Sequence, residues 1–316
     1  MPVPPPRSAN SVLCIGAVHW DSLARARRPI TPDTSTPSDI GQAPGGVATN
    51  VARALVRLDV PATLCGVVGD DVAGRALREQ LNREGLALRL LERKGKATGQ
   101  YLALHDPDGS LVAACVDDAI LAEAPPETFR SELALLAAEM PAHALWFADA
   151  NLPPDILKAV ADEVPEGHLA ADAVSVAKAG RLTGILGRLR LLFANRAEAA
   201  ELADCPGSAP LKEIAARLHD RDVSEVIITD GTRPVLASDG TAVREYAPEP
   251  ATIRDVTGAG DALIAGTLAA LARGYGLFDA VPLGLAAAHL TVQSAGAVSN
   301  ELAWPRLSHK PDVNQA

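Results

Sequence analysis

The chain has 316 residues, 48% of them hydrophobic but only 3% aromatic, and a formal net charge of −10. That acidity argues against a nucleic-acid-binding surface, and no run approaches the ~18 apolar residues of a membrane helix. The length admits one large α/β domain or two smaller ones, with a core built mostly from Ala, Val and Leu. Cys14, Cys65, Cys115 and Cys205 are far apart and form no CxxC pair, which predicts free thiols and a cytoplasmic protein. Residues 1–10, Pro-rich at their start and without an apolar leader core, are expected to be a disordered tail, and 306–316 a C-terminal tail.

Residues 12–18, Val-Leu-Cys-Ile-Gly-Ala-Val, are a continuous apolar run and predict a buried parallel strand, with Asp21 just past its end. Ligands of open α/β sheets bind beyond the carboxyl ends of strands, so Asp21 is a candidate contact. Residues 22–44 are rich in Pro, Thr, Ser and Arg without helical periodicity and predict a lid or mobile loop. Gly45-Gly-Val-Ala-Thr-Asn50 then leads into a helical pattern over 51–58. Paired glycines let a ligand approach the backbone, and Asn50 offers both a donor and an acceptor, the mixture sugar hydroxyls need.

A strand is predicted over 62–68, then a Gly69-Asp-Asp71 turn capping a helix that runs to about residue 84. Runs at 98–104 and 111–116, joined through His105-Asp-Pro-Asp-Gly-Ser110, predict a hairpin. With 22–44 it would form a small sheet over the main one. From 127 onward helices and strands alternate. Helices are expected at 127–139, 153–163, 196–203 and 211–220, strands at 143–148, 168–171, 190–193 and 223–229. A hairpin over 234–246, a helix from 259 and a last helix over 281–295 complete the chain. This alternation predicts a doubly wound, mostly parallel sheet with helices on both faces.

The densest signal is Asp255-Val-Thr-Gly-Ala-Gly-Asp261, followed at once by apolar helix formers. A glycine turn opening a helix leaves N–H donors unpaired at the positive end of the dipole, an anion site suited to phosphate. Asp261 in the first turn of that helix sets a carboxylate beside the anion. Phosphoryl transfer explains the pair: the carboxylate takes a hydroxyl proton while the N–H groups stabilise the transferring group. A dinucleotide fingerprint fits poorly, because Leu263 stands where a third glycine is required, and no Walker A sequence occurs.

Three stretches together resemble the ribokinase-like (PfkB) carbohydrate kinases: Gly45–Asn50, Asn195-Arg-Ala-Glu198, and Asp255–Asp261. The resemblance spans roughly 11–300, implying one kinase domain over 11–305 with a β lid from segments near 22–44 and 96–117. It implies ATP as donor, Mg²⁺, and K⁺ as a further cation, with a nucleoside or sugar acceptor and a homodimer through the lid. By resemblance Asp261 is the base, with Gly258, Ala259 and Gly260 as the anion hole. Asn195, Thr229 and Gly231 line the nucleotide site, Glu198 places Mg²⁺, and Asp255 joins a cation site with the 296–299 region. Asp21, Gly45, Gly46 and Asn50 bind the acceptor.

The run Ala171-Asp-Ala-Val-Ser-Val-Ala-Lys178 through Arg181-Leu182 is similar to a subgroup acting on a C-nucleoside. That similarity adds Thr98, Asp149, Asn151 and Lys178 to the acceptor contacts. Two departures stand out: Asp230 precedes Gly231 where the family has a small or apolar residue, and Asp59 replaces a glycine.

Overall fold

The computed structural model describes residues 9–308. In chain order its strands are β1 (Val12–Ile15), β2 (His19–Ala26), β3 (Ser38–Gly45), β4 (Ala62–Gly69), β5 (Ala87–Arg93), β6 (Gly99–His105) and β7 (Leu111–Asp117). There follow β8 (Leu145–Asp149), β9 (Leu169–Asp172), β10 (Leu191–Asn195), β11 (Glu225–Asp230), β12 (Arg233–Ser238) and β13 (Val243–Tyr246). Nine of them form one sheet in the order β13-β12-β11-β10-β9-β8-β1-β4-β5, parallel except for β12 and β13. The chain moves outward from β1 to β4 and β5, then returns to β8 on the other side of β1. This reversal makes the carboxyl ends of β1 and β8 a topological switch point, where such sheets open a crevice.

Alternate residues of β1 feed two cores. Leu13 and Ile15 face the cluster containing Trp146 and Phe129, while Val12 and Cys14 face the one containing Phe147 and Leu268. That two-sided burial is why β1 reads as an unbroken apolar run.

The remaining four strands form the small sheet, ordered β3-β2-β6-β7. The 22–44 stretch expected as lid or mobile loop contributes β2 and β3, whose pairing runs from His19↔Gly45 to Ala26↔Ser38. Its polar residues face solvent on a thin sheet, so no hydrophobic alternation marked them. The Asp106–Gly109 turn closes β6 onto β7, with the Gly109 N–H donating to Asp106 O at 2.9 Å.

Some boundaries move. The helix expected over 51–58 is Val47–Arg57, because Gly46 at φ 103° turns the chain straight from β3 into it. Strand β5 has no counterpart among the expected elements; Arg89, Glu92 and Arg93 interrupt its apolar pattern. The last long helix is Leu277–Val292, four residues earlier than expected, and contains Pro282. Pro282 has no N–H for the Phe278 carbonyl, and the Tyr246 hydroxyl takes its place at 2.8 Å.

Of the expected tails, residues 1–8 and 309–316 lie outside the described residues. Residue 10 does not fit a free tail, since its N–H donates to Ala272 O at 2.9 Å. The C-terminal boundary likewise moves past 305, because helix Trp304–Ser308 buries Leu307. Asp59 adopts φ 56°, a left-handed conformation aspartate tolerates, so its substitution for glycine leaves the turn intact.

Candidate active site

Helix Ala259–Leu271 begins at Gly258, which has φ 75°; a Cβ there would collide with the Ala297 carbonyl oxygen. Asp255 braces the preceding loop. Its Oδ1 accepts from Thr257 N–H at 2.9 Å and its Oδ2 from Gly296 N–H at 3.1 Å, tying this loop to the 294–299 loop. Burial disfavours the Asp255 carboxylate, but the N–H groups of Thr257 and Gly296 outweigh it and hold its pKa below the usual value.

Of the three expected anion-hole donors, Ala259 N–H bonds Val256 O at 3.2 Å. Gly258 and Gly260 have no described backbone partner for theirs, and Asp261 N–H joins them as an orphan of the first turn.

Asp261 is the chemical centre. Its Oδ2 accepts from Asn50 Nδ2 at 2.8 Å, across the gap between two helix N-termini. Burial pushes its pKa up to about 7; the Asn50 amide opposes this shift, and the charges of Asp149 and Asp21 add to it. A carboxyl group that titrates near neutrality can accept a proton and later release it. The other atom of the Asn50 amide, Oδ1, is buried without a partner. Asp21 lies on β2 with His19 Nε2 at 3.0 Å from its Oδ1; His19 was not singled out from the sequence.

Two cavities meet beside this carboxylate. The larger, about 680 Å³, runs from Thr229, Gly231 and Ala259 to Leu285 and His289. The smaller, about 190 Å³, is lined by Asp261, Asp172, Glu198 and Asn195. Gly260, Thr229 and Leu263 line both. A Cβ on Gly260 would meet nothing within 4 Å, so a side chain there would project into the space a ligand crosses.

Asn195 caps helix Arg196–Leu202, accepting from Ala197 and Glu198 N–H at 2.9 and 3.0 Å. Glu198 reaches back to Asn195 N–H at 2.8 Å, completing a capping box. Burial raises the Glu198 pKa. Asp172 also lines the smaller cavity and was given no role from the sequence, although it ends an apolar strand as Asp149 does. Burial, then repulsion from Glu198 and Asp261, raise its pKa well above normal. Its Oδ2 accepts from Val174 N–H at 2.9 Å, and Ser175 N–H closes a tight turn on Ala173 O at 2.7 Å. Val174, at the centre of that turn, has φ 65°, a strained backbone for a β-branched residue.

Among the expected acceptor contacts, Asp21, Gly46 and Asn50 converge near Asp261. Gly45 is instead the position over which the Asp21 carboxylate packs, leaving no room for a Cβ. Asp149 and Thr98 cannot touch a ligand here, both being 0% exposed. Asp149 Oδ2 accepts from Ala17 and Ala48 N–H at 3.1 and 2.9 Å, and Oδ1 from Asn151 N–H at 3.0 Å. It thereby caps helix Val47–Arg57 from a neighbouring strand. Thr98 donates to Asp71 Oδ1 at 2.6 Å and accepts from Gly69 N–H at 2.9 Å, fixing the base of β6. Sequence motifs could not separate these fasteners from contacts, because both need a polar side chain at a strand end.

Lys178 Nζ bonds Asn151 Oδ1 at 2.7 Å and Asp118 Oδ2 at 3.1 Å, joining the end of the small sheet to the 149–151 loop. Asp230 pairs with Arg196 Nε at 2.8 Å and Arg233 Nη2 at 3.0 Å. Its charge is thus balanced by two guanidinium groups.

A doubly wound sheet capped by a smaller one, with a near-neutral carboxylate facing open helix N–H groups, defines a kinase of small hydroxyl compounds. The chain belongs to the pfkB family of carbohydrate kinases, whose family model matches residues 9–304. It is 29% identical over 268 residues to the pseudouridine kinase of Escherichia coli, covering 82% of this chain and 83% of that one. A carbohydrate kinase from Agrobacterium tumefaciens superposes with a TM-score of 0.82 at 30% identity, over 94% of this chain and 95% of that one. The ribokinase of Arabidopsis thaliana, solved with ribose and ATP, shares the fold at 19% identity with a TM-score of 0.81, over 96% of this chain and all of that one.

Proposed function

We propose that this chain is an ATP-dependent kinase that phosphorylates the ribose 5′-hydroxyl of pseudouridine. The observation that carries the transfer step is Asp261, a half-buried carboxyl group with a pKa near 7 beside unpaired helix N–H groups where two cavities meet. In the reaction the acceptor oxygen attacks the γ-phosphorus and its proton passes to Asp261. The bond from that phosphorus to the β-bridging oxygen breaks, and ADP leaves. Gly258, Gly260 and Asp261 N–H groups stabilise the phosphoryl oxygens. Asn50 and Asp21 orient the ribose hydroxyls, and the small sheet excludes water, the competing acceptor.

No group of three or more His, Cys, Asp or Glu able to hold a metal directly occurs among the described residues. The carboxylates of Asp172 and Glu198 nonetheless fit a dication shared with phosphate and water, since both line the smaller cavity and each resists ionising alone. Mg²⁺ bound there supplies charge neutralisation of the triphosphate. The Asp255–Gly296 bond joins the two loops that would hold K⁺, which supports that cation in the reading. Ile40, Leu102, Val112 and Val116, exposed on the small sheet, support a homodimer through it. A cytoplasmic location belongs to the same reading.

Pseudouridine differs from uridine in a free ring N–H. The 149–151 loop cannot readily accept it, with Asp149 engaged by three N–H groups and Asn151 Oδ1 by Lys178. The acceptor of that bond therefore comes from the β6–β7 hairpin. A coupled ADP-release assay across ribonucleosides and sugars tests the reading. Pseudouridine should exceed uridine by at least ~10-fold in kcat/KM, about 1.4 kcal/mol, one buried hydrogen bond. Equal rates, or free ribose as the best acceptor, would replace pseudouridine with another nucleoside or sugar.

A further inference from the structure

The larger cavity, unlike the smaller one that holds Asp261, has one histidine in its lining, His289. Helix Leu277–Val292 presents Leu285, Ala288, His289 and Val292 to it, the one-sided spacing of a helix face. The rest of the lining is largely apolar. Its other polar side chains are Thr229, Thr232 and Glu249, and Thr229 lies at the phosphate end because it also lines the smaller cavity. At about 680 Å³ the space suits a nucleoside-sized ligand.

The His289 ring has an unusual freedom. Its Nδ1 is buried without any hydrogen-bond partner, and no described bond involves Nε2, the nitrogen left for a ligand. In most proteins the bond made by one ring nitrogen fixes which nitrogen carries the proton. Here nothing fixes it, and either tautomer leaves Nδ1 equally unsatisfied. A ring whose tautomer is not fixed can present Nε2 as a donor or as an acceptor.

We propose that His289 reads the six-position of the donor's purine in either tautomer, so that 6-amino and 6-oxo purine nucleoside triphosphates are both accepted. The inference rests on the kinase reading above and deepens it at the donor side. A site with one fixed donor or acceptor rejects the mismatched base strongly, because a buried polar group is left unpaired. A ring that can switch its proton gives Nε2 the matching role for either base, and the unpaired Nδ1 is common to both complexes. A pyrimidine, whose six-membered ring is joined directly to the sugar without the intervening imidazole ring of a purine, would not extend to His289.

Calorimetry with non-hydrolysable triphosphates tests this on the intact protein. The adenine and guanine analogues should bind within ~10-fold of each other, and the cytosine and uracil analogues at least ~10-fold more weakly. His289→Leu should lose ~10-fold for both purines, about 1.4 kcal/mol. His289→Gln should keep both, since an amide can also turn either atom to the ligand. Melting temperatures close to wild type certify that the variants are folded; should His289→Leu not fold, His289→Gln and the wild-type ratio carry the test. A wild-type preference above ~100-fold for either purine, or unchanged purine affinity in His289→Leu, overturns the proposal. Binding as expected without transfer to any nucleoside or sugar would overturn the acceptor assignment and leave this one standing. Transfer with strict adenine preference would do the reverse.

Discussion

The two sheets meet over the site but are built on opposite terms. At the carboxyl end of β8, Asp149 is fully buried and has three N–H groups on its two oxygens. On the outer strand of the small sheet, every residue of β7 is exposed. Side-chain bonds tie the small sheet to neighbouring helices at Trp20 Nε1 to Ala73 O, 3.0 Å, and at Arg53 Nη1 to Pro44 O, 3.1 Å, and Lys178 holds its far end through Asp118. The large sheet fixes reacting groups by burying them until one geometry remains. The small one contributes a surface whose position matters more than its interior. Chemistry needs the first kind of order, and admission of a substrate needs the second.

The sharpest way to break this contrast is Asp149→Ala. It would strand the Ala17, Ala48 and Asn151 N–H groups in the core, and we expect a loss of about 3 kcal/mol or more in denaturant unfolding. An unchanged midpoint with a raised acceptor KM would instead return Asp149 to the role of ligand contact.

Asp261→Asn should lower kcat by at least ~10²-fold while leaving nucleotide affinity and fold intact. Wild-type kcat/KM should rise with pH and level off above about 7, the pKa to which burial lifts this group. The same shift has a stability consequence. The folded state holds the Asp261 proton more tightly than the unfolded chain, so this group's contribution falls as pH rises from about 4 to about 7. Unfolding measured across that window should show the decline in wild type and a weaker one in Asp261→Asn. A rate within a few-fold of wild type would remove Asp261 from the chemistry.

The smallest effect is expected on the other sheet. Val116→Ser, at a side chain 55% exposed, should change monomer stability by less than ~0.5 kcal/mol while weakening self-association seen in sedimentation. A fall of several degrees in Tm, with no change of mass, would mean that the small sheet is core after all.

What could be read beforehand follows the same division. Two-sided burial makes β1 and the centres of β8, β10 and β11 continuous apolar runs, so they were visible. The glycine turn before Asp261 was visible because only glycine fits against the Ala297 carbonyl. By contrast β2, β3 and β5 are half-exposed, and their polar residues hid the alternation. At the site, residue type showed where a carboxylate or amide was needed but not whether it met a ligand or the backbone. Asp149 and Thr98 were therefore placed one layer too far out. Asp172 was missed because its significance is its neighbours, Glu198 and Asp261, which lie 26 and 89 positions away along the chain and come together only in the fold.

The tight turn at Val174 has an evolutionary consequence. A left-handed β-branched residue costs of order 1–3 kcal/mol, and glycine at 174 would recover much of it in a single substitution. Selection for heat resistance alone should therefore find Val174→Gly early. Selection that also demands turnover should discard it if the apolar wall Val174 gives the smaller cavity shapes the acceptor's seat. Position 174 thus works as an internal gauge: the residue a lineage keeps there reports whether its members have been selected to last or to work.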